Sequence, residues 1–201
     1  MKPNHVSARR KPWACLLSVI AGTMLAGCSS SPPIHYYTLS APAAGSVAPR
    51  GEQGPSLVVG PVSIPAEVDR QQMVRIVDGV RLEVASQHRW AGPLKIEIGR
   101  RVAGEIARLR GLPRVVAWPQ NTYSEPELSL PIDIQRLDTI GFDSVRIEAV
   151  WSLRRERREL AGGRVVIEER IDDPSHAGVA VAHVRAVDAL AREVAARMPG
   201  V

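Results

Sequence analysis

Cysteine is nearly missing from this chain. Its 201 residues hold two, Cys15 and Cys28, and none follows Cys28. That excludes a disulfide framework, a cysteine zinc site and a cysteine nucleophile from everything downstream. Aromatic residues are sparse at 4%, with a single phenylalanine, so the core must be built from aliphatic side chains. Lysine is confined to Lys2, Lys11 and Lys95. Acid is absent from residues 1–27, where Lys2, Arg9, Arg10 and Lys11 lie; beyond them 22 basic residues face 21 acidic ones. The formal +5 of the whole chain therefore belongs mostly to its first segment. A nearly neutral remainder gives no reason to expect a nucleic acid partner. H-E-x-x-H, G-x-S-x-G, P-loop and G-x-G-x-x-G patterns are all missing. The histidines at 35, 88, 176 and 183 have no ligand spacing and read as structural or solvated. Asp172-Asp173 before Pro174 reads as a polar turn, and "RRERRE" (154–159) as a solvated hairpin tip. No catalytic residue, metal site or cofactor is expected, and the protein is not expected to be an enzyme.

What is present begins with the order of the N-terminus. A basic stretch leads into the uncharged residues 13–27, which end in Ala26, Gly27 and then Cys28-Ser29. This is the basic, apolar, small-residue order of a secretory signal. As a helix the 15 uncharged residues would span ~22 Å, short of the ~30 Å hydrocarbon core. A retained membrane helix and a plain cleaved signal are the two alternatives to a third reading. "LAGC" at 25–28 resembles the lipobox of bacterial lipoproteins. The resemblance implies acyl chains on Cys28 after cleavage, and Ser29 implies sorting to the outer membrane of a Gram-negative cell. One acyl chain anchors a protein marginally, and two or three hold it firmly.

The expected organisation is a signal over residues 1–27, a lipidated tether over 28–35, and one domain over 36–201 with a loop at 40–56. The 143 residues from 56 to 198 are enough for one core. "HYYTL" (35–39) reads as a short strand, and docking of that strand on the domain is favoured over a free linker. "SLVVGPVSIP" (56–65) reads as a buried strand broken at Gly60-Pro61, and residues 72–85 as a hairpin turning at Asp78-Gly79. A helix is expected over 91–111, with Leu94, Ile98, Val102, Ile106 and Leu109 on one stripe. Residues 114–118, 127–137, 144–156 and 162–171, the last with a turn at Gly162-Gly163, read as strands. Pro131 suggests an edge or a bulge. A helix over 178–197 closes the chain, with Asp188/Arg192 and Glu193/Arg197 as i, i+4 pairs. The fold class expected is α+β: a mostly antiparallel sheet with two helices packed on it, in a single domain.

Two stretches stand apart, "VGPVSIPAEVDRQQMV" (59–74) and "HRWAGPL" (88–94). With Tyr36-Tyr37-Thr38-Leu39 behind the lipobox, they resemble the signature of the PqiC-type auxiliary lipoproteins of ABC and MCE transport systems. The matching residues are Gly60, Pro61, Pro65, Asp69, Arg70, Arg89, Trp90, Pro93, Leu94 and Trp151. Val68 replaces a commoner leucine, and Gly92 a common acid. From the residues alone, Asp69 is expected to pair with Arg89, and Trp90 to anchor the first helical turn. These residues hold the fold or meet a partner. The resemblance implies a non-enzymatic, outer-membrane-anchored periplasmic component that docks an MCE-domain transport protein and supports envelope integrity. Self-association is compatible with it. A carrier that holds lipid in its own cavity is the alternative; an envelope hydrolase would need a polar constellation not found here.

Overall fold

The computed structural model describes residues 32–39 and 54–200. Cys28, Ser29 and most of the 40–56 loop lie outside them. Among these residues eight strands and two helices follow one another as β1 (His35–Tyr37), β2 (Leu57–Ser63), β3 (Gln72–Val77), β4 (Arg81–Trp90), α1 (Leu94–Arg110), β5 (Val115–Ala117), β6 (Leu128–Ile140), β7 (Ser144–Arg155), β8 (Arg158–Arg170) and α2 (His176–Arg197).

The strands form one sheet around the long β6. One edge of β6 carries β7 and then β8, both antiparallel. Its other edge is shared. The first half pairs in parallel with β2, which pairs in parallel with β5. The far end meets β3 at Ile76 and Ile140. From β3 the sheet continues through antiparallel β4 to parallel β1. The sheet is therefore mixed, not mostly antiparallel. The α+β class and the single domain with two helices stand. Strand β2 reads as a continuous apolar run because it has a strand on each side, as inner parallel strands do.

Local sequence explains the rest. In β6, Leu128, Leu130, Ile132 and Ile134 point into the core; the register shifts after Ile134, and Leu137 and Thr139 take over. Pro131 is tolerated in this two-sided strand because it faces an irregularity: Gly60 and Pro61 of β2 stand opposite it alone. Gly60 has φ 114°, and a Cβ there would lie 3.0 Å from the Trp118 Cβ. The turn into β4 has Asp78 and Gly79 at positive φ, with Val77 opposite Arg81. The Gly162-Gly163 pair is no turn. It lies inside β8, opposite Ser152 and Trp151, and the chain reverses at Glu156 instead. Val145, Ile147, Ala149, Trp151 and Leu153 line the buried side of β7.

Both helices cover that side. α1 packs on β2 and β5, α2 on β7 and β8, and the helices touch each other. Leu94, Ile98, Val102 and Ile106 are buried, but Leu109 is exposed and Leu112 takes its place. Gly99 lets α1 sit close to Val62 of β2. Ser175 caps α2 by accepting from the Gly178 N–H at 3.1 Å. Arg110, from the end of α1, donates to the carbonyls of Ala195, Met198 and Pro199, which the end of α2 leaves unpaired.

Candidate functional site

The chain enters the domain at β1, and the surroundings of β1 are the most elaborated part of the molecule. His35, Tyr36 and Tyr37 lie opposite His88, Arg89 and Trp90, and the Ala91 N–H continues the ladder by donating to the Tyr37 carbonyl at 2.7 Å. Leu39 is completely buried. The Thr38 hydroxyl donates to Glu97 Oε2 at 2.6 Å. Arg101 donates to the Leu39 carbonyl at 2.8 Å and grips Asp188 of α2 with two further N–H groups. Gly92 has a physical reason here. A Cβ at that position would come within 3.2 Å of Glu97 Oε1, so the buried Glu97 carboxylate occupies that space.

Three of the histidines that the sequence scatters meet at this seam. The rings of His35 and His88 stack at 5.2 Å, and those of His88 and His176 at 3.7 Å with 3° between their planes. Tyr37 Oη lies 2.9 Å from His88 Nδ1. Phe142 meets His176 edge-on, and the Arg75 guanidinium lies over Phe142 at 3.8 Å. Stacked rings direct their nitrogen lone pairs side by side, not toward a common point. Among the described residues no group of three or more His, Cys, Asp or Glu is arranged to hold a metal. Burial, helped by neighbouring His35, lowers the His88 pKa; burial, helped by His88 and Arg75 against the pull of Glu83, lowers that of His176. Burial thus disfavours the charged form of both His88 and His176. His183 lies deeper, Nδ1 2.9 Å from the Val179 carbonyl and its ring edge-on to Trp90, and burial lowers its pKa to about 4.

The signature residues fall in two places. The loop after β2 joins the start of α1. The Pro65 carbonyl accepts from the Val68 and Asp69 N–H groups, and the Trp90 N–H donates to the Gln71 carbonyl at 2.7 Å. Asp69 pairs with Lys95 at 2.8 Å, not with Arg89. Arg89 instead lies between Tyr36 and Gln72 on neighbouring strands, and its Nε is buried without a partner. Arg70 is exposed. Pro93 precedes α1 and accepts from the Ile96 and Glu97 N–H groups, while Trp90 and Leu94 are buried beside Val179 and His183. Trp90 thus anchors the first helical turn. The second place is a groove of about 410 Å³ lined by Pro61, Pro131, Asp133, Trp151, Arg154 and Glu159. The Trp151 ring is buried opposite Gly163.

Glu97, Arg101 and the stacking of the histidines were not singled out from sequence, and Asp188 was read only as a partner of Arg192. A signal existed for the stack: "HYY" and "HRW" share a His-x-aromatic pattern, and the two segments pair in register.

A model of the family described as ABC-type transport auxiliary lipoprotein component matches residues 37–195. A crystal structure of an uncharacterized protein superposes with TM-score 0.64 at 16% identity, covering 82% of this chain and 98% of the other. A Xanthomonas campestris protein of the DUF330 family superposes with TM-score 0.58 at 17% identity, covering 80% and 91%. At these identities the likeness is one of fold. No curated protein matches the sequence significantly. Among the described residues no helix is long and apolar enough to cross a membrane.

Proposed function

The chain belongs to the family of ABC-type transport auxiliary lipoprotein components, and from that premise we propose that it is a non-enzymatic adaptor held by acyl chains on Cys28. Its domain sits at the periplasmic face of the outer membrane of a Gram-negative cell, where it docks the MCE-domain protein of a lipid transport system and supports envelope integrity. Residues 1–27 are the signal that is removed, and Ser29 directs sorting.

The observation that carries this reading is the pairing of β1 with β4. His35 lies seven steps along the chain from Cys28, so the anchor and the sheet can be no more than ~25 Å apart. A tether that short keeps the domain beside the bilayer, and a partner's encounter with it becomes nearly intramolecular. The surface formed by Asp69, Arg70 and the start of α1 suits docking, since its charges are exposed while Trp90 and Leu94 beneath it are buried. Storage of lipid between the sheet and the helices beside Trp90 has less support. The gap between sheet and helices near Trp90, Leu94 and His183 is about 10 Å³, roughly the space of one water.

Crosslinking in intact cells, read by mass spectrometry, tests the adaptor role. Recovery of an MCE-domain protein crosslinked near residues 69–70 is expected. Crosslinks only to unrelated envelope proteins would contradict it.

A further inference from the structure

Strands β3 and β4 extend beyond the helices as a hairpin whose end is apolar on one face. Leu82, Ile76 and Ile140 lie in one row across β4, β3 and β6, with Val84 opposite Val74 in the next row. Val80, in the turn, is 88% exposed, Leu82 48% and Val84 43%. Such a cluster of aliphatic side chains in water calls for a covering surface.

We propose that this end of the sheet, built from Val80, Leu82, Val84 and Ile140, is seated in a lipid surface. The proposal rests on the reading of Cys28 as the acyl anchor. Three observations favour lipid over another occupant. First, β1 runs parallel to β4, so its N-terminal end points back toward the hairpin turn, and the chain arrives from that side. His88 lies seven residues along β4 from Arg81, ~23 Å at ~3.3 Å per residue. The seven residues from His35 back to Cys28 have the same reach, so acyl chains on Cys28 and the hairpin end can share one bilayer. Second, the charges closest to the hairpin turn are paired. Arg81 pairs with Asp78 at 2.8 Å, and Arg75 pairs with Glu83. No unpaired charge among these four opposes approach to the acyl region. Third, residues 28–34, which lead from Cys28 to β1, carry no charged side chain, so the tether does not oppose approach to the acyl region.

The same geometry fixes the opposite end. Ser144 lies opposite Ile140, and β7 then runs to Arg155, roughly 36 Å away at ~3.3 Å per residue. The arginine-rich turn at Glu156 and Arg157 therefore faces away from the lipid, toward the periplasm.

Site-directed fluorescence tests this. Acylation blocks Cys28 and the signal removes Cys15, so a single added cysteine is the one free thiol. Acylated protein carrying Val80→Cys, Leu82→Cys or Arg157→Cys is labelled with an environment-sensitive fluorophore. It is then reconstituted into phosphatidylethanolamine–phosphatidylglycerol vesicles containing spin-labelled acyl chains. Quenching at 80 and 82 at least fourfold above that at 157 is expected, and Leu82→Asp with Val84→Asp should at least halve the quenching at 80 while helical circular dichroism is kept. If the protein floats with the vesicles but 80 and 82 are quenched no more than 157, the lipid seat is wrong and the anchor stands. The same conclusion follows if 82 is shielded only by added transport partner, which would make the strip a protein interface. If the protein does not float at all, the anchor reading fails and this inference falls with it.

Discussion

Arg101 and Asp188 are joined by two hydrogen bonds, of 2.6 and 2.8 Å, and the same guanidinium donates to the carbonyl of Leu39 at 2.8 Å. One side chain thus ties α1 to α2 and both to the segment that follows β1. The pair is mostly buried, and removing one member of such a pair costs more than the pair itself contributes, because a charge is left without compensation.

Asp188→Ala should therefore destabilise the domain by about 3 kcal/mol, read as a lower denaturant midpoint at unchanged m-value. Arg101→Ala should in addition speed amide hydrogen exchange at Tyr37 and Ala91, whose ladder with β1 it secures. Equal exchange in the two variants would separate the ion pair from the seating of β1.

Acid should weaken the fold through its histidines. His183, His88 and His176 all have folded pKa values below the ordinary 6.5, because burial disfavours the charged ring. A depressed folded pKa means the unfolded chain takes up protons first. Stability is then complete above about pH 6.5 and is lost as pH falls toward 4, where His183 itself titrates in the fold. A loss of the order of 2–3 kcal/mol over that window is expected from His183. His183→Gln, which cannot charge, should flatten the profile; an unchanged slope would assign the acid sensitivity elsewhere.

The signature residues should divide by burial. Trp90→Ala removes a ring that is 3% exposed and packs against Leu94 and His183, and should cost about 3–5 kcal/mol. Arg70→Glu alters an exposed side chain and should change stability by less than about 0.5 kcal/mol. It should nonetheless weaken crosslinking to the transport partner several-fold. An Arg70→Glu variant that crosslinks normally would move the docking surface away from this loop.

Much of the fold was readable because its elements are strongly periodic. The buried stripe of α1 (Leu94, Ile98, Val102, Ile106), the closing helix and the strands β6 and β7 were legible. Pairing was not. Parallel partners such as β1 with β4, or β2 with β5, are far apart in sequence, and no local pattern names them. The Gly162-Gly163 pair was misread because glycine marks turns by default; here it leaves room opposite Trp151 and Ser152. Electrostatics failed for a similar reason. Asp188 prefers Arg101 on the other helix to Arg192 one turn away, since a buried tertiary partner outweighs an exposed i, i+4 pair worth ~0.3–0.5 kcal/mol, and Asp69 takes Lys95 on the neighbouring helix. The expected Glu193–Arg197 pair does form, at 2.9 Å.

The anchor itself is decided by the intact mass of the protein extracted from membranes with detergent. A polypeptide that begins at Cys28 and carries the added mass of two or three acyl chains is the predicted result. A mature chain beginning elsewhere, or one with an unmodified Cys28 thiol, would contradict it.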